Sequence, residues 1–213
     1  MKVCTDACLF GAWTATKMKP VKVLDIGAGT GLLSLMIAQK TNAIIDAVEI
    51  DKNASEQASE NFNISPWKNR LSVINFPIQQ FDKGGYDLII SNPPFFNNDL
   101  RSANAARNLA LHSTALSLEE LLAAVKRLLS ENGRFAVLLP FHRAAHFEEL
   151  LRSAQLFITE KLVVSQTTRH QPFRVCYLIS GSATERINSS ITIKNEYDQY
   201  TETFLELLKD YYL

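Results

Sequence analysis

The chain has 213 residues, 46% of them hydrophobic and 21% charged, which suits one α/β domain with a substantial core and leaves no room for a second independent one. Lys plus Arg equals Asp plus Glu at 22 each, so no overall field steers the molecule toward a polyanion, and contact with nucleic acid must come from a local basic patch. Three cysteines, Cys4, Cys8 and Cys176, form neither a disulfide framework nor a metal-ligand spacing, and they read as small buried thiols in a reducing cytoplasm.

In chain order, the first twenty residues precede the first strand. Asp6 interrupts their apolar stretch, so no signal peptide is expected, and no later run approaches the roughly 20 apolar residues that span a bilayer. Short β-branched runs then alternate with helical patterns. Strands are predicted at 21–26, 44–49, 71–76, 86–91 and 133–139, and helices near 31–40, 52–62, 117–130 and 142–154. Ser117 with Glu120 three residues on forms a capping box at the start of the third of the long helical patterns, the one over 117–130. Strands at 157–165 and 174–180 follow each other without room for a helix, which predicts an antiparallel pair. The tail from 183 carries a strand-like ITIK at 191–194 and a helix-like YTETFLELLKDYY. The alternation predicts one domain over 1–213, an α/β fold with a mostly parallel seven-stranded sheet, helices on both faces and an antiparallel last strand pair.

Two segments carry the chemistry. VLDIGAGTGLL at 23–33 is a strand running into a glycine turn that opens a helix. Gly27, Gly29 and Gly31 are spaced G-x-G-x-G, unlike the G-x-G-x-x-G of dinucleotide binders, and no Gly-Lys-Ser/Thr follows that would cradle phosphates. Such glycines permit positive φ and let a ligand lie on the backbone. Asp25 just before the turn is expected to accept from loop amides or to reach a ligand amine through water. Glu49 closes the second strand, where a carboxylate meets the ribose hydroxyls of a nucleoside cofactor.

SNPPFF at 91–96 follows the fourth strand. The lone pair of an exocyclic amine is delocalised and is a poor nucleophile. Accepting its two N–H bonds at the Asn92 side-chain oxygen and the Pro93 carbonyl pushes the nitrogen toward a tetrahedral amine, while Pro93 and Pro94 fix φ and pre-aim the carbonyl. Phe95 or Phe96 is placed to stack on a planar substrate. Together the two segments point to methyl transfer to a nitrogen.

These residues resemble the class I S-adenosylmethionine-dependent methyltransferases with an N/D-PP-Y/F signature, whose fold is Rossmann-like. More narrowly, MKVCTDACLFGAW, VLDIGAGTGLLSLMIAQ, SNPPFF and YTETFLELLKDYYL resemble the bacterial tRNA1(Val) adenosine-37 methyltransferases. The resemblance implies S-adenosyl-L-methionine as cofactor and tRNA, at its anticodon loop, as partner. It implies that Asp25, Gly27, Gly29 and Gly31 line the methionine and ribose portions and that Glu49 holds the ribose hydroxyls. Thr5 and Asp6, within the segment 1–20, would close over the cofactor, and Asn92 to Phe95 would hold the target base. Relatives carry an acidic residue after the third strand for the adenine amine. Here Pro77 stands there, and Asn75 or a backbone group must substitute. Relatives also carry a further segment before MKV.

On the substrate side Arg101 and Arg107 follow NPPF in a polar loop, and Arg169, His170 and Arg174 flank Pro172. The arginines are candidates for phosphates. His112 and His170 are candidate proton shuttles, but the amine's proton is able to leave to water and no catalytic base is assigned. No metal site is expected. Three rival readings stand beside tRNA methylation: methylation of a protein glutamine or an rRNA base, a cofactor- or RNA-binding module without catalysis, and a nicotinamide oxidoreductase. The glycine spacing speaks against the last.

Overall fold

The computed structural model describes residues 4–94 and 116–211. Helix α1 (Thr5–Ala15) leads into β1 (Lys22–Ile26), α2 (Leu32–Lys40), β2 (Ile44–Glu49), α3 (Lys52–Ile64), β3 (Leu71–Asn75) and β4 (Tyr86–Ser91). After residue 116 follow α4 (Leu118–Leu128), β5 (Leu129–Pro140), α5 (Ala144–Ser153), β6 (Phe157–Ser165), β7 (Arg174–Ser180), β8 (Ile187–Thr192) and α6 (Glu202–Leu208).

Among the described residues the sheet has eight strands, where seven are expected, in the order β3-β2-β1-β4-β5-β7-β6-β8. β7 lies between β5 and β6 and is antiparallel to both, and every other pairing is parallel. The extra strand is the tail segment β8, which pairs parallel with β6 at Glu160–Ile187 through Ser165–Thr192. Its sequence, INSSIT, buries Ile191 alone. An edge strand wetted on both faces has no reason to alternate, so the apolar ITIK four residues later misplaced it.

Strands buried on both faces read as continuous apolar runs, and helices cover each face. On one side α1, α2 and α6 set Leu9, Phe10, Ile37 and Phe204 against Val23, Ile45, Leu138 and Cys176. On the other, α4 and α5 set Leu121, Val125, Phe147 and Leu151 against Leu24, Ile89, Phe135 and Tyr177. The capping box is formed, with Glu120 N–H donating to Ser117 Oγ at 3.1 Å and Ser117 N–H to Glu120 Oε2 at 2.8 Å. The Ser117 N–H donated within this capping box pulls the Glu120 carboxyl below its ordinary value. Helix α1 is packed into the fold, with every residue from Ala7 to Thr14 buried. Strand order reverses between β1 and β4, and such switch points open a crevice at the strands' C-terminal ends.

Candidate active site

A cleft of about 550 Å³ lies at that switch point. Its floor is the turn after β1. Gly27 and Ala28 donate their N–H groups to Val48 O at 2.9 and 3.3 Å, which ties the turn to β2. Gly27 and Gly29 line the cleft with φ of +70° and +57°. A Cβ at Gly27 would meet nothing within 4 Å among the described residues beyond its chain neighbours, so the backbone there borders the open cleft.

Glu49 enters from the end of β2. Its Oε2 accepts from Gly29 N–H and its Oε1 from Asp51 N–H, both at 2.8 Å. Each oxygen keeps a lone pair, so the carboxylate is held rigid and remains an acceptor toward the cleft. Asp51 caps α3 by accepting from Ala54 N–H at 2.8 Å.

From β4, Ser91 Oγ donates to Ile26 O at 2.9 Å and locks the strand end to β1. The next residue, Asn92, has its side-chain oxygen Oδ1 buried without a hydrogen-bond partner, one of three such atoms among the described residues. A buried amide oxygen left unsatisfied costs about 1–3 kcal/mol, and this one borders the cleft beside Pro93 and Pro94. The opposite wall is Asp6 of α1, whose Oδ2 accepts from Arg174 Nε at 2.7 Å.

The far end of the cleft, past Glu49, is apolar, with Ile50, Phe76, Ile78 and Leu116. For this end the sequence predicts Asn75 or a backbone group in place of an acidic residue. Asn75 is not in the lining. Its Nδ2 donates to the carbonyls of Glu49 at 2.8 Å and Ile50 at 3.0 Å, which pins the loop after β2. The amide in the wall is Gln79, whose Nε2 donates to Glu120 Oε1 at 3.4 Å. A carboxylate only accepts, so the nitrogen faces Glu120 and the amide oxygen is turned from it. Arg127 on α4 fixes this turn by donating through Nη2 to the carbonyls of Ile78, Gln79 and Phe81 at 3.0, 3.3 and 2.9 Å. A short helical turn after a strand and a distant basic helical residue are the only traces these features leave in the sequence.

The structure therefore brings Asp6, Gly27, Gly29, Glu49, Asn92, Pro93, Pro94 and Arg174 to one cleft. Thr5, Asp25, Gly31 and Arg169 are not in its lining. Asp25 lies beneath the turn, fully buried, with Oδ2 accepting from Ser34 N–H at 3.1 Å and Ser34 Oγ at 2.7 Å and Oδ1 unpartnered. Burial pushes its carboxyl up to about 7, against the opposing pull of Ser34. It therefore serves the first turn of α2, whose N-cap Gly31 has no side chain to do so. Gly31 is required by packing, since a Cβ there falls 2.4 Å from Cε1 of Phe62 on α3. Arg169 is exposed and sits in the β6–β7 turn. Phe95, Phe96, Arg101, Arg107 and His112 lie outside the described residues. Among the described residues no three His, Cys, Asp or Glu side chains are grouped to hold a metal, and no helix is long and apolar enough to cross a membrane.

Comparison with known proteins is consistent with this geometry. Residues 12–162 match the model of the methyltransferase small domain. The whole chain is similar to the tRNA1(Val) (adenine(37)-N6)-methyltransferases of Dyadobacter fermentans, at 42% identity over 91% of that protein, and of Flavobacterium psychrophilum, at 38% identity over 93%. Among solved structures, a predicted O-methyltransferase from Agrobacterium tumefaciens superposes with a TM-score of 0.76 at 14% identity, covering 96% of this chain and 95% of the other. A ribosomal protein L11 methylase from Lactobacillus delbrueckii gives 0.58 at 17%, covering 82% and 76%. At these identities the structural likeness speaks for the fold alone.

Proposed function

This chain belongs to the methyltransferase small domain family, and we propose that it transfers a methyl group from S-adenosylmethionine to the exocyclic amine of an adenine in tRNA, adenosine 37 of tRNA1(Val). The observation that carries the reading is the buried, unpartnered Oδ1 of Asn92 at the mouth of β4, in the same cleft as the glycine turn and Glu49. An acceptor kept unsatisfied at a cost to the fold is poised for a donor that arrives with the substrate. The full-length likeness to enzymes named for tRNA1(Val) adenine-37 supports the choice of acceptor.

The residues fit an adenosyl donor. The bare backbone at Gly27 and Gly29 leaves room for it, Glu49 offers acceptors to two vicinal hydroxyls, and the apolar end with the Gln79 amide suits a planar ring bearing an amino group. S-adenosylmethionine, when bound, supplies a methyl carbon on a positively charged sulfur. On the acceptor side Asn92 Oδ1 and the Pro93 carbonyl take the two N–H bonds of the amine. The nitrogen lone pair is thereby drawn out of conjugation and aimed into the cleft, and rate comes chiefly from that positioning. The target base enters unstacked from its loop, at a cost of a few kcal/mol that is lower for an unpaired nucleotide.

Label from S-adenosylmethionine should pass to tRNA that lacks the modification. Asn92→Ala should lower the rate by about two or more orders of magnitude while affinity for S-adenosylhomocysteine, measured by calorimetry, stays within about twofold. Absence of label in tRNA, or equal loss of rate and affinity, would overturn the assignment.

A further inference from the structure

Beyond the cleft, the same edge of the sheet carries a surface that methyl transfer itself leaves unused. β5, β6 and β8 bring their C-terminal ends to the side on which Asn92 lies, and β7, running the other way, begins there. Three turns result, at 141–143, 166–173 and 193–201. They are stitched together by backbone hydrogen bonds: Phe141 N–H to Phe173 O at 3.1 Å, Phe173 N–H to Val164 O at 3.0 Å, and Lys194 N–H to Gln166 O at 2.9 Å. Within the last turn Asn195 Oδ1 accepts from Tyr197 N–H at 2.9 Å and Gln199 N–H at 3.0 Å. The edge is thus a preformed ledge.

Its side chains alternate cations with aromatic rings. Arg174, in the cleft wall, lies with its guanidinium 5.3 Å from the Phe173 ring. Arg169 reaches Glu196 at 3.4 Å with three quarters of its side chain exposed. Lys194 lies 5.7 Å from the Tyr200 ring and bonds Asp198 at 2.8 Å. Tyr197 is 76% exposed and Tyr200 42%. The core asks nothing of Tyr197, and an exposed ring beside cations is what unpaired bases and their phosphates require together. The Arg169–Glu196 pair is exposed on both sides and the Lys194–Asp198 pair on its carboxylate side, so each is worth little and open to displacement of the carboxylate by phosphate oxygens.

We propose that this ledge, from Arg174 through Arg169 to Lys194 and Tyr197, holds the RNA that flanks the target adenine, with phosphates on Arg169 and Lys194 and an unpaired base on Tyr197. The proposal rests on the RNA-methylating reading above. Binding of an unmodified anticodon stem-loop, followed by fluorescence anisotropy over a range of salt, tests it. Arg169→Ala and Lys194→Ala should each weaken RNA binding about 3- to 10-fold and lower the slope of log K against log salt by about one. Tyr197→Ala should weaken it at least about fivefold, and Tyr197→Phe should restore it. Glu196→Gln and Asp198→Asn, which remove the competing carboxylates, should tighten it. Lys68→Ala, at the opposite edge just before β3, should leave it unchanged, and every variant should bind S-adenosylhomocysteine as the wild type does. Wild-type RNA affinity in the ledge variants, or weakening by Glu196→Gln, with the wild type still methylating the stem-loop, would overturn the ledge and leave the enzyme reading standing. A wild type that binds and methylates no RNA would overturn both.

Discussion

Alanine at Gly27 and alanine at Gly31 separate the two tasks of the glycine turn, because one substitution meets opposite surroundings at the two positions. Both residues have positive φ, +70° and +83°, so each alanine carries about 1–2 kcal/mol of backbone strain. At Gly31 the added Cβ lies 2.4 Å from Cε1 and 2.9 Å from Cζ of Phe62, a buried ring on α3, and displacing a packed ring adds about 1–3 kcal/mol. At Gly27 the added Cβ meets nothing within 4 Å among the described residues beyond its chain neighbours, so strain is the main cost to the fold and the methyl occupies space at the cleft. Gly31→Ala should therefore lose roughly 2–5 kcal/mol, a fall in Tm of roughly 5–20 °C for a domain of this size, and keep its ligand affinity while folded. Gly27→Ala should lose only about 1–2 kcal/mol and weaken S-adenosylhomocysteine at least about tenfold. Thermal melts and calorimetry on the two proteins decide it. Shrinking the ring with Phe62→Leu should recover part of the Gly31→Ala loss, since contacting residues are not additive. Equal destabilisation by the two alanines, or lost affinity in a Gly31→Ala protein that melts like the wild type, would refute this division.

Other consequences follow from single contacts. Asp25 has a folded value near 7 against an ordinary 3.8. Its stabilising contribution is therefore complete below about pH 4 and disappears as pH rises through 7, by about 4 kcal/mol at most. The ligand-free protein should show that decline in its denaturant midpoint between pH 4 and 8, and Asp25→Asn, whose carbonyl still accepts from Ser34, should flatten it. A slope kept by the variant would place its origin elsewhere. Glu49→Ala frees the amides of Gly29 and Asp51, so the fold should lose about 1–3 kcal/mol and S-adenosylhomocysteine should bind at least about tenfold more weakly. Unchanged affinity would remove Glu49 from the site. Arg127→Met releases three carbonyls of the turn at 78–81. Amide exchange there should quicken and ligand affinity fall about 3- to 10-fold, and protection equal to wild type would show that Arg127 does not hold the wall.

What the sequence shows plainly is what is local. α4 was legible because Leu118, Leu121, Leu122, Val125 and Leu128 repeat on one face and Ser117 with Glu120 closes its cap. The strand-to-turn segments at Gly27 and Asn92 were legible because their chemistry lies within a few residues. α1 was harder. TDACLFGAWTA is buried nearly all round and lacks the polar stripe by which a surface helix is recognised. Three glycines in one motif look alike in sequence, and only the Phe62 ring, 31 residues away from Gly31, gives one of them a different task. Asn75 and Gln79 are both amides near the end of β3, and which of them reaches the cleft depends on Arg127 and Glu120, about 40 or more residues further along the chain. Signals of that kind have no period and no spacing to read.

The reversed strand decides the character of the acceptor side. From β3 to β5 every strand runs the same way, and the turns after β1, β2 and β3 present backbone, a carboxylate and an amide to the donor half of the cleft. A parallel strand next to β5 would need a crossover of a dozen or more residues and would end at this edge. β7 instead begins at it, with Arg174 opposite Pro140 at the end of β5 and opposite Val164 near the end of β6. The β6–β7 connection is therefore one short loop, 166–173, at the same end of the sheet as the cleft. It delivers Arg169, His170 and Arg174 there without a covering helix, and Asp6 anchors the last of them from α1. An open, cation-bearing edge beside a cleft whose own carboxylates are Asp6, Glu49 and Asp51 separates the place for a polyanion from the place for a small ligand. It exists because a single strand is turned around.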